Sequence, residues 1–139
     1  MIVRNATRDD VDALALLAGE LGYPSTSDDM LARFNALPDT EAVLVAADPD
    51  VIGWIQVGIT SALESGKFAE IRGLVVQESQ RSRGIGALLV DAAEQWAREH
   101  GLSRMRVRSN VIRERTHRFY ERRGYVAKKS QKAFEKSLG

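Results

Sequence analysis

Cysteine is absent from the 139-residue chain. That excludes disulfides, thiolate metal sites and any cysteine nucleophile, and it is compatible with a reducing cytoplasm. Long apolar runs are missing as well: none approaches the roughly 20 residues needed to cross a bilayer. Met1-Ile2-Val3-Arg4-Asn5 lacks the charged-then-apolar pattern of a signal peptide, so a cytoplasmic protein without a membrane partner is expected. Nor does charge of one sign dominate, since 20 basic residues face 19 acidic ones. A polycation built for nucleic acid is thereby disfavoured. There is no internal repeat, low-complexity tract or linker. What remains, 44% hydrophobic and 28% charged, fits one compact α/β domain spanning residues 1–139.

Periodicity supplies the elements. Ile2-Val3-Arg4 reads as a strand, followed at once by a helix with Thr7 as N-cap and Asp9 and Asp10 in its first turn, where carboxylates suit the helix dipole. Val11, Leu14, Leu17, Ala18 and Leu21 recur at helical spacing until Gly22-Tyr23-Pro24 stops them. A second short helix is expected from a Ser27 cap to about Asn35. The period then changes: Glu41 to Ala47 and Val51 to Ile59 are β-rich runs joined by Asp48-Pro49-Asp50, a hairpin. Residues 60–67 read as a loop and Ala69 to Val76 as the next strand. A long helix starts near Gly84, with Ile85, Leu88, Leu89, Ala92, Ala93, Trp96 and Ala97 as its apolar stripe, and ends at His100-Gly101. Arg104 to Arg108 reads as a strand, Arg113 to Arg122 as a helix ended by Gly124, and Tyr125 to Lys128 and Lys132 to Leu138 as closing strands. This order predicts an α/β (α+β) fold with a mixed, mostly antiparallel sheet of six to seven strands and helices on both faces.

The most informative stretch is Arg81-Ser82-Arg83-Gly84-Ile85-Gly86-Ala87, between a strand and an amphipathic helix. Two glycines one residue apart let the backbone turn tightly and approach a ligand without a Cβ in the way. The first helical turn has N–H groups without intrahelical partners and a dipole that favours an anion, and Arg81 and Arg83 add positive charge. The chemistry suits a diphosphate. A P-loop would need Gly-Lys-Ser/Thr, but Ala87-Leu88 follow Gly86; a dinucleotide fingerprint would need glycine at position 89, which is leucine. A softened helix start with two solvated arginines is the competing reading.

These residues resemble the GCN5-related N-acetyltransferase (GNAT) superfamily. Its acetyl-CoA motif, Gln/Arg-x-x-Gly-x-Gly/Ala, is matched by Arg81, Gly84 and Gly86, and Phe119-Tyr120-Glu121-Arg122-Arg123-Gly124-Tyr125 is similar to its late Phe-Tyr-x-x-x-Gly-Phe/Tyr signature. The element order agrees from Met1 to Leu138. The resemblance implies a splayed central strand pair in which Leu74, Val75 and Val76 pair with the pantetheine arm of acetyl-CoA. It implies that the amides of Ser82, Arg83, Gly84, Ile85, Gly86 and Ala87, beside Arg81, hold the pyrophosphate. Asn110 would then bond the pantetheine or order the site; a strand-end turn residue is the alternative.

Acetyl transfer from a thioester requires that the amine lose a proton, that the developing oxyanion find a donor, and that the departing thiolate receive a proton. By resemblance, Tyr120 is the candidate acid, with Phe119 buried and Tyr120 facing the cleft, since neighbours on a helix differ by about 100°. A core tyrosine is the competing reading. Glu70, eleven residues before Arg81, stands where the histone-acetyltransferase branch has its glutamate base. Plain alternation puts Glu70, Arg72 and Leu74 on one face, so a surface Glu70–Arg72 pair competes with that role. His100 and His117 read as helix-end or solvent-facing residues, and no metal site is expected. Acceptor contacts are expected from residues 22–27, from the strand around Trp54 and Gln56, and from the loop near Glu64.

Eight arginines fall between Arg104 and Arg123, but Glu114 and Glu121 interrupt them and no recognition-helix, zinc or stacking pattern accompanies them. A solvated face is the better reading, with no nucleic-acid partner. The expectation is an acetyl-CoA-dependent N-acetyltransferase acting on a primary amine by direct attack in a ternary complex. The run from Arg108 to Tyr120 resembles members acting on small amines such as aminoalkylphosphonates or aminoglycosides. A peptide amine, a catalytically silent CoA-binding protein and a homodimer are the open alternatives.

Overall fold

The computed structural model describes residues 1–108 and 114–139. They form two compact units, Met1–Val107 and Arg108–Gly139.

The first unit runs β1 (Ile2–Asn5), α1 (Val11–Glu20), α2 (Ser27–Asn35), β2 (Glu41–Ala47), β3 (Val51–Ala62), β4 (Gly66–Val76), α3 (Ile85–Glu99) and β5 (Met105–Val107). The strands lie in the order β1-β2-β3-β4-β5. The first three pairings are antiparallel, β2–β3 and β3–β4 as hairpins, whereas β4 and β5 are parallel. A parallel pair needs a crossover, and α3 supplies it. Its buried residues Ile85, Leu89, Val90, Ala93 and Ala97 recur at helical spacing, and the fully buried Val45, Ile55 and Val57 centre the sheet's share of the core. Gly53 lets α3 approach, because a Cβ there would come within 3.2 Å of Leu89 and 3.1 Å of the Val75 carbonyl oxygen.

Asp10 locks the chain's entry into α1. Its buried carboxylate accepts from the Thr7 amide (2.8 Å) and from Arg4 Nη1 (2.7 Å) and Nη2 (3.0 Å). Hydrogen bonding to Arg4 is the main reason the carboxyl ionises below its ordinary range. A group depressed in this way contributes stability above its unfolded value and loses it as pH falls through its folded one. Asp10→Ala leaves those donors without an acceptor and is expected to cost about 2 kcal/mol, read as a lower urea midpoint at pH 7.

Several boundaries differ from the sequence expectation. A 3₁₀ turn at Arg8–Asp10 precedes α1. The cap of α2 is Thr26, whose Oγ1 accepts from the Asp29 amide at 3.0 Å, rather than Ser27. Most of the expected 60–67 loop is strand, since β3 runs to Ala62 and β4 starts at Gly66, around a left-handed Gly66 (φ +74°). The expected six to seven strands are five among the described residues.

The second unit contains α4 (Glu114–Arg122), which Gly124 closes at φ +90°, with the Tyr125 amide bonded back to the Tyr120 carbonyl at 3.0 Å. The expected closing strands at 125–128 and 132–138 are not formed. A strand needs a neighbour to accept its hydrogen bonds, and this unit's described residues contain no other strand. The segment is also too polar to build an apolar face: Val126, Phe134 and Leu138 are 81%, 91% and 91% exposed, with Lys128, Lys129, Lys132 and Lys136 between and beside them. Among the described residues no helix is long and apolar enough to cross a membrane.

Candidate active site

The two features expected to receive a nucleotide meet at the end of β4. Its ladder with β5 has three rungs, Ala69–Met105, Glu70–Arg106 and Ile71–Val107. Among the described residues, positions 73–76 pair only with β3. A bulge inserts Arg72 between the Val57–Ile71 and Gln56–Gly73 partners and reverses the strand's phase. The reversal is visible in the amides. Ala69 N–H points outward to the Arg104 carbonyl (2.9 Å), while Gln77 N–H, eight residues on, points inward to the Ile52 carbonyl (2.8 Å). Simple alternation would have sent both the same way. Leu74 and Val76 therefore turn their backbone groups to the open edge. The same bulge corrects an expectation: Leu74 lies opposite Ile55 on the α3 side, not on the face of Glu70 and Arg72.

Beyond β4, the loop at 81–84 is held by two left-handed residues, Ser82 (φ +73°) and Gly84 (φ +78°). The cap of α3 is Gly84, with no side-chain hydrogen bond and no acidic residue in the first turn. By contrast, α2 carries a Thr26 cap with Asp28 and Asp29. The α3 ladder begins with Leu88 N–H to the Gly84 carbonyl (3.1 Å), so the amides of Ile85, Gly86 and Ala87 have no acceptor within the helix. No atom lies within 4 Å of where a Gly84 Cβ would be. This end is electropositive and open, and it fits a pyrophosphate. Arg81 is exposed beside it. Arg83 is tied down instead, hydrogen-bonded to Gln80 and 3.5 Å from the Asp48 carboxylate.

Glu70 belongs to a polar row across the sheet. Glu41 of β2, Gly58 of β3, Glu70 of β4 and Arg106 of β5 are successive register partners and so share a face. Arg72 clamps the two carboxylates together. Its Nε and Nη2 donate to Glu41 Oε1 and Oε2 (2.9 Å each), and its Nη1 donates to Glu70 Oε1 (2.6 Å). Thr60 Oγ1 also donates to Glu70 Oε1 (3.2 Å), and Gln56 Nε2 to Glu41 Oε1 (3.0 Å). Hydrogen bonding to Glu41 is the largest influence raising the Arg72 pKa. The Glu70 side chain is only 12% exposed, so this is no freely solvated surface pair. Gly58 is what makes room, since a Cβ there would sit on the Glu41 carboxylate. Glu41 and Gly58 escaped the sequence reading. Pairing β2 with β3 directly across the turn puts Glu41 opposite Val57, but a bulge at Ile52 shifts the register by one.

Of the other expected acceptor contacts, Pro24, Ser25 and Ser27 border an open cleft of about 570 Å³ against α1, and Glu64 is exposed at the β3–β4 turn. Trp54 is half-buried with its indole N–H unpartnered. In the second unit Tyr120 is 7% exposed, against half-buried Phe119, the reverse of the expected division. Its ring meets Phe119 and Tyr125 edge-on, at 5.1 and 5.5 Å between centroids. Burial pushes its phenol up to about 12. Asn110 lies outside the described residues. His100 ends α3, stacked on Trp96 at 4.1 Å with Nδ1 2.8 Å from the Trp96 carbonyl. Among the described residues no group of three or more His, Asp or Glu could hold a metal ion.

An open strand edge leading into a helix start shaped for diphosphate is the arrangement of an acetyltransferase. Residues 10–125 match the model of the acetyltransferase (GNAT) family, and the chain belongs to that family, which uses acetyl-CoA as cosubstrate. It is an N-acetyltransferase. The aminoalkylphosphonate N-acetyltransferase of Salmonella typhimurium is 34% identical over 142 residues, covering 98% of this chain and 90% of that protein. The aminoglycoside N(6')-acetyltransferase type 1 of Klebsiella aerogenes is 38% identical over 69 residues, covering 48% and 45%. A solved transcriptional regulator from Bacillus halodurans C-125 shares the fold, with a TM-score of 0.87 at 24% identity over 96% of this chain and 98% of that one.

Proposed function

We propose that this enzyme transfers the acetyl group of acetyl-CoA to the primary amine of a small molecule by direct attack, with both substrates bound at once. Aminoalkylphosphonates are the first acceptor class in this reading. The observation that carries it is the 34% identity to an aminoalkylphosphonate N-acetyltransferase over 98% of the chain. Acetyl-CoA supplies an activated thioester and a thiol leaving group.

The chain's own residues do the rest. Leu74, Val75 and Val76 offer a strand edge to the pantetheine, and the amides from Ser82 to Ala87, with Arg81 nearby, receive the diphosphate. Arg83 shapes the loop more than it neutralises the ligand, given its ties to Gln80 and Asp48. Asn110 retains the pantetheine role implied by the family motif. Glu70, oriented by Arg72 and Thr60, accepts the proton that the ammonium must lose. Tyr120, protonated at neutral pH, gives a proton to the departing sulfur.

The test is CoA release from acetyl-CoA against a panel of aminoalkylphosphonates, aminoglycosides, simple alkylamines and lysine peptides. Turnover on small amines at least about tenfold above that on peptides is expected. Turnover on peptides alone would overturn the small-molecule assignment.

A further inference from the structure

Within the polar row two carboxylates stand beside two guanidinium groups, and Arg72 is the one that binds both Glu41 and Glu70. The neighbouring Arg106 is the register partner of Glu70 on the parallel strand, so its side chain leaves the sheet on the same face. It is half-buried, and its guanidinium lies over the Phe68 ring, 4.2 Å from the centroid. Phe68 is itself 4% exposed, a fixed platform two residues before Glu70. Arg104, two residues before Arg106, is committed to the carbonyls of Ser65 and Lys67. Arg106 differs: among the described residues no carboxylate or carbonyl accepts from it, and the aromatic face is its contact. A guanidinium has five donors in a planar fork suited to an oxyanion. Held on a ring and partly withdrawn from water, it is preorganised for one.

We propose that Arg106 determines acceptor specificity by binding an anionic group on the substrate, which makes the enzyme selective for short zwitterionic amines. The ammonium would stand over the carboxylate side of the row, at Glu70, and the oxyanion over Arg106. Neighbouring strands are about 4.8 Å apart, a spacing that a short carbon chain between amine and anion can bridge. The inference rests on the small-amine reading and narrows it to a charge pattern: a neutral amine satisfies one half of the row, a zwitterion both.

The experiment compares 2-aminoethylphosphonate, β-alanine and propylamine as acceptors for the wild type, Arg106→Met and Arg106→Lys, at saturating acetyl-CoA. The wild type is expected to prefer the two zwitterions. Arg106→Met should raise their KM by about fivefold to tenfold with kcat little changed, while propylamine shifts less than about twofold. Arg106→Lys, which keeps the charge but not the fork, should recover part of the loss. The two zwitterions separate phosphonate from carboxylate recognition. Equal losses on all three amines would assign Arg106 a structural role and overturn the inference, as would no loss on any. A wild type that acetylates propylamine as well as the zwitterions would overturn it while leaving the small-amine reading intact. Calorimetric titration of 2-aminoethylphosphonate into the protein with CoA present gives an answer independent of turnover. Binding to wild type but not to folded Arg106→Met supports the assignment, and equal binding or none to either refutes it.

Discussion

Glu70→Gln is expected to lower kcat/KM for the acceptor about a hundredfold and to flatten the acid limb of its pH profile. The substitution is nearly isosteric, and the Gln side-chain oxygen can still accept from Arg72 Nη1 and Thr60 Oγ1, which now meet Glu70 Oε1. Folding and acetyl-CoA binding should therefore survive, and what is removed is the ability to take a proton. The local charges make the readout interpretable. Glu70 faces Arg72 on its own strand, Thr60 on β3, and Arg106 on β5, with Glu41 of β2 reached through Arg72. A variant whose profile keeps the wild-type shape would exclude Glu70 as base and leave the carboxylate as one end of a clamp.

Tyr120→Phe should lower kcat between about tenfold and a hundredfold, with KM for acetyl-CoA little changed, if the phenol protonates the departing sulfur. The same variant carries a second signature. The phenol is raised from its ordinary 10 to about 12 by burial, so the folded state holds its proton more tightly than the unfolded chain does. Its contribution is complete below pH 10 and is lost as pH rises through 12, amounting to about 2 to 3 kcal/mol. Denaturant midpoints of the wild type should thus fall more steeply between pH 10 and 12 than those of Tyr120→Phe. A normal kcat with the altered alkaline slope would make Tyr120 a core residue only.

The architecture was legible where local signals agree with tertiary packing. Most of the apolar stripe of α3 read directly from spacing, although Leu88 is exposed and the buried Val90 was not in the expected stripe, and the boundaries of β2 match. Legibility failed where geometry depends on a neighbour. The bulges at Ile52 and Arg72 leave no mark in composition, yet the first brings Glu41 opposite Gly58 and the second sends Leu74 to the α3 side. Alternation alone would have separated Glu41 from Glu70 and grouped Glu70 with Leu74. The tail failed differently. Strands were expected at 125–128 and 132–138, but β structure requires a partner edge as well as a pattern. Glu70 and Tyr120 were named as candidates by the family resemblance, whereas Arg72, first read only as a surface partner, is a clamp that donates to both Glu41 and Glu70.

The extra residue in β4 constrains how this protein can vary. Removing Arg72 or Gly73 would rotate everything downstream by half a pleat: Leu74 and Val76 would aim their amides at β3 and their neighbours would take the exposed rim. Exchanges of side chain in this segment are thus absorbed one at a time, but a change of length by a single codon would break the relation between the Glu70 face and the open edge that leads to α3. Diversification of acceptor preference in this lineage should accordingly proceed by replacement along β4 and by insertion only beyond its ends.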